Sequence, residues 1–196
     1  MPGDIVQRNV NVEMYLPSLA ELRLDNTELP PGFGLRRYRA GSVEDRAACT
    51  AIWQDAERRL WGDPSLTLPD TWFRNGFGED DSLIADRQYY VVSPEGELIA
   101  TTTAWFDGDD PGTTTGMVHY VGMKSAYAGR GLSKPLMSQV LLRMRELGHT
   151  DCILHTSTGR VVSTGALTTH QYSTRAKESH SLARIVTRAV AWHACL

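Results

Sequence analysis

The sequence predicts an α+β (α/β) chain: a strand, two helices, three antiparallel strands, a further helix and a closing strand. Three stretches carry that prediction. Residues 117–147 pass from an apolar, β-branched run through a glycine-rich loop into Leu136, Met137, Val140, Leu141, Met144 and Leu147, which have helical spacing. Residues 89–93 and 98–106 are two strands of a hairpin around Pro94-Glu95-Gly96-Glu97. Residues 43–60 place Ala47, Ala48, Ala51, Ile52, Ala56 and Leu60 on one helical stripe.

Composition narrows the class. A chain of 196 residues can bury one good core. A net charge of −3 argues against a nucleic-acid partner, which would call for a basic excess. No apolar run reaches membrane-spanning length, so no membrane partner is expected. Asp4 and Glu13 and the lack of an apolar segment near the N-terminus speak against a secretory signal. Cys49, Cys152 and Cys195 stand far apart without metal-ligand spacing, so no metal and a reduced, cytoplasmic setting are expected. Cys152 falls in a strand and reads as core.

Along the chain, 1–32 reads as an N-terminal extension. Leu16, Leu19, Leu22 and Leu24 suggest one short helix after Pro17, and Pro30-Pro31-Gly32 breaks the chain. The extension packs across the domain, contacts a partner subunit or is a disordered tail; the residues leave these open. Residues 33–39 form a short strand. Ser42 can cap the helix that follows, with Asp45 three residues on, and Gly62-Asp63-Pro64 stops it. A second short helix within 66–78 can start at Pro69 and anchor through Trp72 and Phe73. The acidic turn 107–112 lacks calcium-loop spacing, and the strand 113–123 then enters the glycine loop. Residues 151–156 are the closing strand.

A strand, a glycine-rich loop and a helix N-terminus together form a place to hold an anion, because the first helical amides lack partners and sit at the positive end of the dipole. Gly129 and Gly131 let backbone N–H groups come close, Arg130 and Lys134 add charge, and Pro135 suits the first turn. No Gly-Lys-Ser/Thr closes the loop, so it is not a Walker loop, nor is it the three-glycine dinucleotide fingerprint.

The loop resembles the pyrophosphate-binding segment of the GNAT superfamily of N-acetyltransferases, Gln/Arg-x-x-Gly-x-Gly/Ala. The register is Ala128-Gly129-Arg130-Gly131-Leu132-Ser133. Gly131 matches the central glycine; Ala128 stands where the family usually has Gln or Arg, and Ser133 where it has Gly or Ala. The resemblance covers 33–160. It implies the acyl-CoA N-acyltransferase fold over 33–196, a mixed, mostly antiparallel sheet flanked by helices and splayed at the cofactor site. Residues 161–196 diverge: the family's closing strand pair is not legible, and 175–194 reads as a helix on Leu182, Ile185, Val186, Ala189, Val190 and Trp192.

The activity implied is transfer of an acetyl group from acetyl-CoA, as co-substrate and without a metal, to a primary amine. The acceptor would be a small molecule such as an amino acid, polyamine or aminoglycoside, or a protein amine. By the resemblance, the backbone of Val121, Gly122 and Met123 would take the pantetheine arm and thioester. The amides of Gly129, Arg130, Gly131, Leu132, Ser133 and Lys134 would take the pyrophosphate. The family often places a carboxylate on the central strands; here His119 stands there, a candidate base, with His155 second. Tyr172 is the candidate acid for the leaving thiolate. Tyr120, Trp72 and Phe73 are candidate substrate-binding residues, with Trp61 and Phe77 as further pocket walls, although any one of Trp61, Trp72, Phe73 and Phe77 can instead fill the core; Tyr127 reads as packing. The acidic groups Glu79-Asp80-Asp81 and 107–110 are compatible with a cationic acceptor, or are solvated loops. Acetyltransferases of this type often dimerise, which leaves a homodimer open. A non-catalytic acyl-CoA-binding sensor or partner module on the same fold is the alternative, and an unrelated phosphate or nucleotide binder is a third reading.

Overall fold

A computed structural model describes residues 11–24, 27–157 and 173–175 of the chain. Seven strands share one sheet: β1 (Asn11–Leu16), β2 (Gly34–Arg37), β3 (Gln88–Val92), β4 (Leu98–Phe106), β5 (Thr115–Met123), β6 (Asp151–Ser157) and β7 (Ser173–Arg175). Their order is β2-β3-β4-β5-β6-β1-β7. Every neighbouring pair is antiparallel except β5 with β6. Among the described residues, four α-helices accompany the sheet: α1 (Val43–Trp61), α2 (Trp72–Phe77), α3 (Ser82–Ala85) and α4 (Ser133–Glu146).

Period-two alternation divides the core between the two sheet faces. On β3, Tyr89 and Val91 belong to one cluster and Tyr90 to the other. The first cluster is the α4 side, where Leu136, Met137, Val140, Leu141 and Met144 meet Ala100, Val118, Cys152 and Leu154. The second is the side of α1 and α2, where Cys49, Ile52, Phe73 and Phe77 meet Trp105 and Phe106. The parallel step from β5 to β6 needs a crossover, and α4 supplies it.

The N-terminal stretch departs from expectation. No helix follows Pro17; instead Asn11–Leu16 is a strand inserted between β6 and β7. Its register against β6 runs from Asn11↔Ser157 to Leu16↔Cys152, and Tyr15 donates a 2.9 Å hydrogen bond to Asp151. Leu16 and Leu19 are both buried in the α4-side core. The extension expected over 1–32 therefore contributes a sheet strand and core side chains. At the other end, Ser173–Arg175 pairs with β1. Arg175, read as the start of a helix, ends a strand; the rest of that predicted helix lies outside the described residues.

The start of α1 is held by charge. Ser42 caps it as expected, its Oγ accepting from the Asp45 amide at 3.1 Å. Asp45 is fully buried and takes both guanidinium nitrogens of Arg36 at 2.7 Å, with Arg39 Nη2 at 2.8 Å. Burial alone would raise its pKa, but hydrogen bonds from Arg36 and Arg39 hold the carboxyl well below the usual carboxylate range. Asp81 accepts from Tyr38 Oη at 2.6 Å, from Arg46 and from the Gly41 amide. Burial and that carboxylate push the Tyr38 phenol up to about 12. Among the described residues, no helix is long and apolar enough to cross a membrane.

Two outcomes follow from this packing. Leu19→Ala should cost about 2–5 kcal/mol in chemical denaturation, the range for a fully buried leucine, whereas a side chain on a loose extension would cost little. Asp45→Asn should cost about 1.5–3 kcal/mol at pH 7, the range for hydrogen bonds to a charged group, since Arg36 and Arg39 are partly exposed and can turn to water. Because the folded pKa of Asp45 is depressed, its contribution is present above the unfolded value of about 4 and is lost as the pH falls below it. The gap between wild type and variant should therefore narrow in denaturation curves taken near pH 3.

Candidate active site between β5 and β6

The parallel pairing of β5 and β6 is brief. It comprises Thr115↔Asp151, Gly116↔Cys152 and Met117↔Ile153. Beyond these, β5 continues to Met123 and β6 to Ser157 with no further pairs between them. The other edge of β6 stays paired with β1 throughout, and that of β5 stays on β4. The two strands thus open a cleft whose facing edges carry backbone groups without a strand partner among the described residues, a site for an extended ligand to bond as an added strand would.

A bulge lies at the point of opening. Thr103 faces His119 and Thr101 faces Gly122, so Thr102 stands opposite both Tyr120 and Val121. Tyr120 has φ 49°, the one non-glycine residue with positive φ among those described. The Thr102 hydroxyl reaches the His119 carbonyl at 3.4 Å. The extra residue breaks the alternation, so His119 and Tyr120 both face the α1 and α2 side. The Phe77 ring is 5.5 Å from His119 and 5.1 Å from Tyr120.

These two side chains join an aromatic wall. Tyr120 lies 4.8 Å from Trp72 and 5.0 Å from Trp53, and Trp53 lies 5.7 Å from Trp72, centroid to centroid. Trp105 is near-parallel to the His119 ring at 6.2 Å. His119 Nε2 is 3.4 Å from the Gly76 carbonyl oxygen; since a carbonyl only accepts, this long contact uses the Nε2–H tautomer. Trp72 is half-buried on this wall, whereas Phe73 is in the core, stacked 6.1 Å from Tyr38 and tilted 4.9 Å from Phe77. Trp61, 60% exposed, bonds to Glu57 at the end of α1 and is not part of the wall.

The glycine loop leads from β5 into α4. Gly129 and Gly131 both have φ 76°, and a Cβ at either would meet nothing within 4 Å. No side chain caps α4, whose first amides lack intrahelical partners. Leu132 is buried in the α4-side core, whereas Ser133 and Lys134 are half-buried. Arg130 lies over the Tyr127 ring at 4.9 Å and donates to the Ala126 carbonyl at 3.2 Å. The Asp55 carboxylate of α1 takes the Ser125 amide and ties the loop's approach to that helix. Open space at both glycines, an uncapped helix N-terminus and the split strands together suit a phosphate-bearing ligand with an extended arm.

Other predicted residues fall differently. Val121, Gly122 and Met123 line the opened stretch of β5. The space beside Gly122, however, is taken by Ile52 Cγ2 at 3.1 Å and Trp53 Cδ1 at 3.3 Å, so this glycine serves the close packing of α1 on the sheet. His155 is over half exposed and lies 3.1 Å from Glu13 on β1, away from the aromatic wall. Tyr172 lies outside the described residues. The acidic loop is occupied by the protein itself: Glu79 pairs with Arg74, Asp80 accepts from the Ser82 amide, and Asp81 is held as above. Among the described residues, no group of His, Cys, Asp and Glu could hold a metal ion. Sequence reasoning missed Trp53 and Gly76. Trp53 was visible beside the buried stripe of α1; nothing in the sequence marked Gly76.

Comparisons with known proteins agree with this geometry. The model of the acetyltransferase (GNAT) family matches residues 47–167. No curated protein matches the chain in sequence. Among solved structures, a GCN5-related N-acetyltransferase from Sphaerobacter thermophilus is similar, with TM-score 0.58, 16% identity, and cover of 86% of this chain and 50% of that one. An acetyltransferase of the GNAT family from Colwellia psychrerythraea gives 0.54 at 17% identity, over 84% and 53%. A glucosamine N-acetyltransferase region of a fungal multi-domain β-N-acetylglucosaminidase gives 0.57 at 13%, over 86% and 20%. At such identities the likeness is one of fold, and the chain spans only about half the length of the first two structures.

Proposed function

Because the chain belongs to the acetyltransferase (GNAT) family, we propose that it transfers an acetyl group from acetyl-CoA to a primary amine of a small molecule. The opening of β5 from β6 beside an uncapped, glycine-led helix carries this reading. The amides from Gly129 to Lys134 would hold the pyrophosphate, and Arg130 and Lys134 would add charge. The backbone of Val121 to Met123 would hold the arm and the thioester, where an N–H near Val121 can stabilise the oxyanion that forms on attack.

The acceptor would lie over Trp53, Trp72 and Tyr120. Ring faces attract an ammonium and pack against an apolar body. The acidic loop is a poor candidate for recruiting a cationic amine, since Glu79, Asp80 and Asp81 already have partners. His119 is the proposed general base, acting directly or through a water to free the amine lone pair before attack. A protein amine as acceptor, cytoplasmic location and a homodimer are further expectations. The central strands carry Thr101, Thr102, Thr103 and His119 where the family often has a carboxylate. That substitution favours a non-catalytic acyl-CoA sensor as the second reading.

Thermal unfolding with acetyl-CoA, beside ATP as control, tests the site. Ligand at about a hundred times its dissociation constant should add about 2.7 kcal/mol of stability, with no effect of ATP. Gly131→Asp, which puts a charge and a Cβ into the loop, should remove that effect; no shift in the wild type would discard the enzyme reading. His119→Ala should leave the shift intact and lower kcat by about 100-fold on whichever amine of a panel is acetylated. Binding with no thioester consumption on any amine would favour the sensor.

A further inference from the structure

One glycine touches both His119, the last paired residue before the bulge, and Tyr120, the first residue within it. Gly76, in α2, accepts from His119 through its carbonyl, and its Cα lies under the Tyr120 ring. A side chain at Gly76 would set its Cβ 2.5 Å from Tyr120 Cε2, 2.6 Å from Oη and 2.8 Å from Cζ. Those atoms belong to a rigid ring already hemmed in by Trp53, Trp72 and Phe77. Tyr120 is also the residue whose backbone is left-handed, a conformation that a Cβ disfavours and that persists only where its surroundings impose it.

We propose that Gly76 is a positioning residue for the acetyl-donor site: its missing side chain lets α2 clamp Tyr120, and the clamp holds the bulge that aims the backbone of Val121 to Met123. The proposal rests on the acetyl-CoA reading of the cleft. It assigns α2 a second task besides walling the acceptor side, since any shift of α2 moves the ring and, through the φ of Tyr120, the donor strand. The effect should be confined to the acetyl end. The pyrophosphate loop is anchored separately, by α4 and by Asp55 on Ser125.

The test compares acetyl-CoA with CoA, which lacks the acetyl carbonyl, by calorimetric titration of the full chain. Wild type should prefer acetyl-CoA. Gly76→Ala should remove most of that preference, a loss of about fivefold to tenfold for one hydrogen bond, while CoA binds as before. In a Tyr120→Gly background, where the ring is gone and glycine tolerates the positive φ, Gly76→Ala should have no further effect. If Gly76→Ala does not fold, Tyr120→Ala poses the same question, because it deletes the ring and keeps a Cβ; the preference must fall again. Equal weakening of both ligands, an unchanged preference, or an undiminished effect of Gly76→Ala without the Tyr120 ring would each overturn the proposal. Failure of the wild type to bind either ligand would instead overturn the acetyl-CoA reading on which it rests.

Discussion

Parallel strands in a mixed sheet ordinarily pair along their length, and here β5 and β6 do so at only three positions. Much else in the molecule is arranged around that early separation. α4 buries its apolar face against the α4-side core and closes the crossover between the two strands. Its N-terminus therefore begins at the end of β5, where the cleft is open. β1 takes the outer edge of β6, so β6 remains a sheet strand after it has lost β5. Without β1, the upper part of β6 would have no ladder on either side.

The separation also makes room for the bulge. An extra residue in a strand paired on both sides would have to disturb two ladders at once. Past Met117, β5 is paired on the β4 side alone, so the insertion at Tyr120 and Val121 shifts a single register. The irregularity therefore sits where it disrupts least. It also turns His119 and Tyr120 to the same face, which regular alternation would forbid.

Much of this was legible in the sequence, and the gaps have physical causes. The glycine loop could be read because Gly129 and Gly131 occupy left-handed positions that favour glycine, and their spacing survives as a pattern. The hairpin and the α1 stripe could be read because burial imposes a period. β1 also has a period, with Val12, Met14 and Leu16 alternating with Asn11, Glu13 and Tyr15. The overlapping spacing of Leu16, Leu19 and Leu22 hid it by imitating a helix turn. Gly122 accommodates Ile52 and Trp53 of α1, and the bulge lies just before it. A tyrosine in left-handed backbone has no sequence signature, because its neighbours in space, not in sequence, impose it.

Those neighbours can be weighed against the strain they oppose. Holding a non-glycine residue at positive φ costs about 1–3 kcal/mol. An aromatic pair contributes about 0.5–1.5 kcal/mol beyond the area it buries. The Tyr120 ring makes close pairs with Trp53, Trp72 and Phe77 and lies 4.0 Å from the His119 ring. Three such pairs, at about 1 kcal/mol each, match the strain at its upper end. Burial of the ring between α1 and α2 adds to them, provided Gly76 leaves the space. The bulge is therefore held by side-chain packing across the sheet face, not by the ladder it interrupts. The backbone that would meet the donor is set by the same aromatic residues that would meet the acceptor.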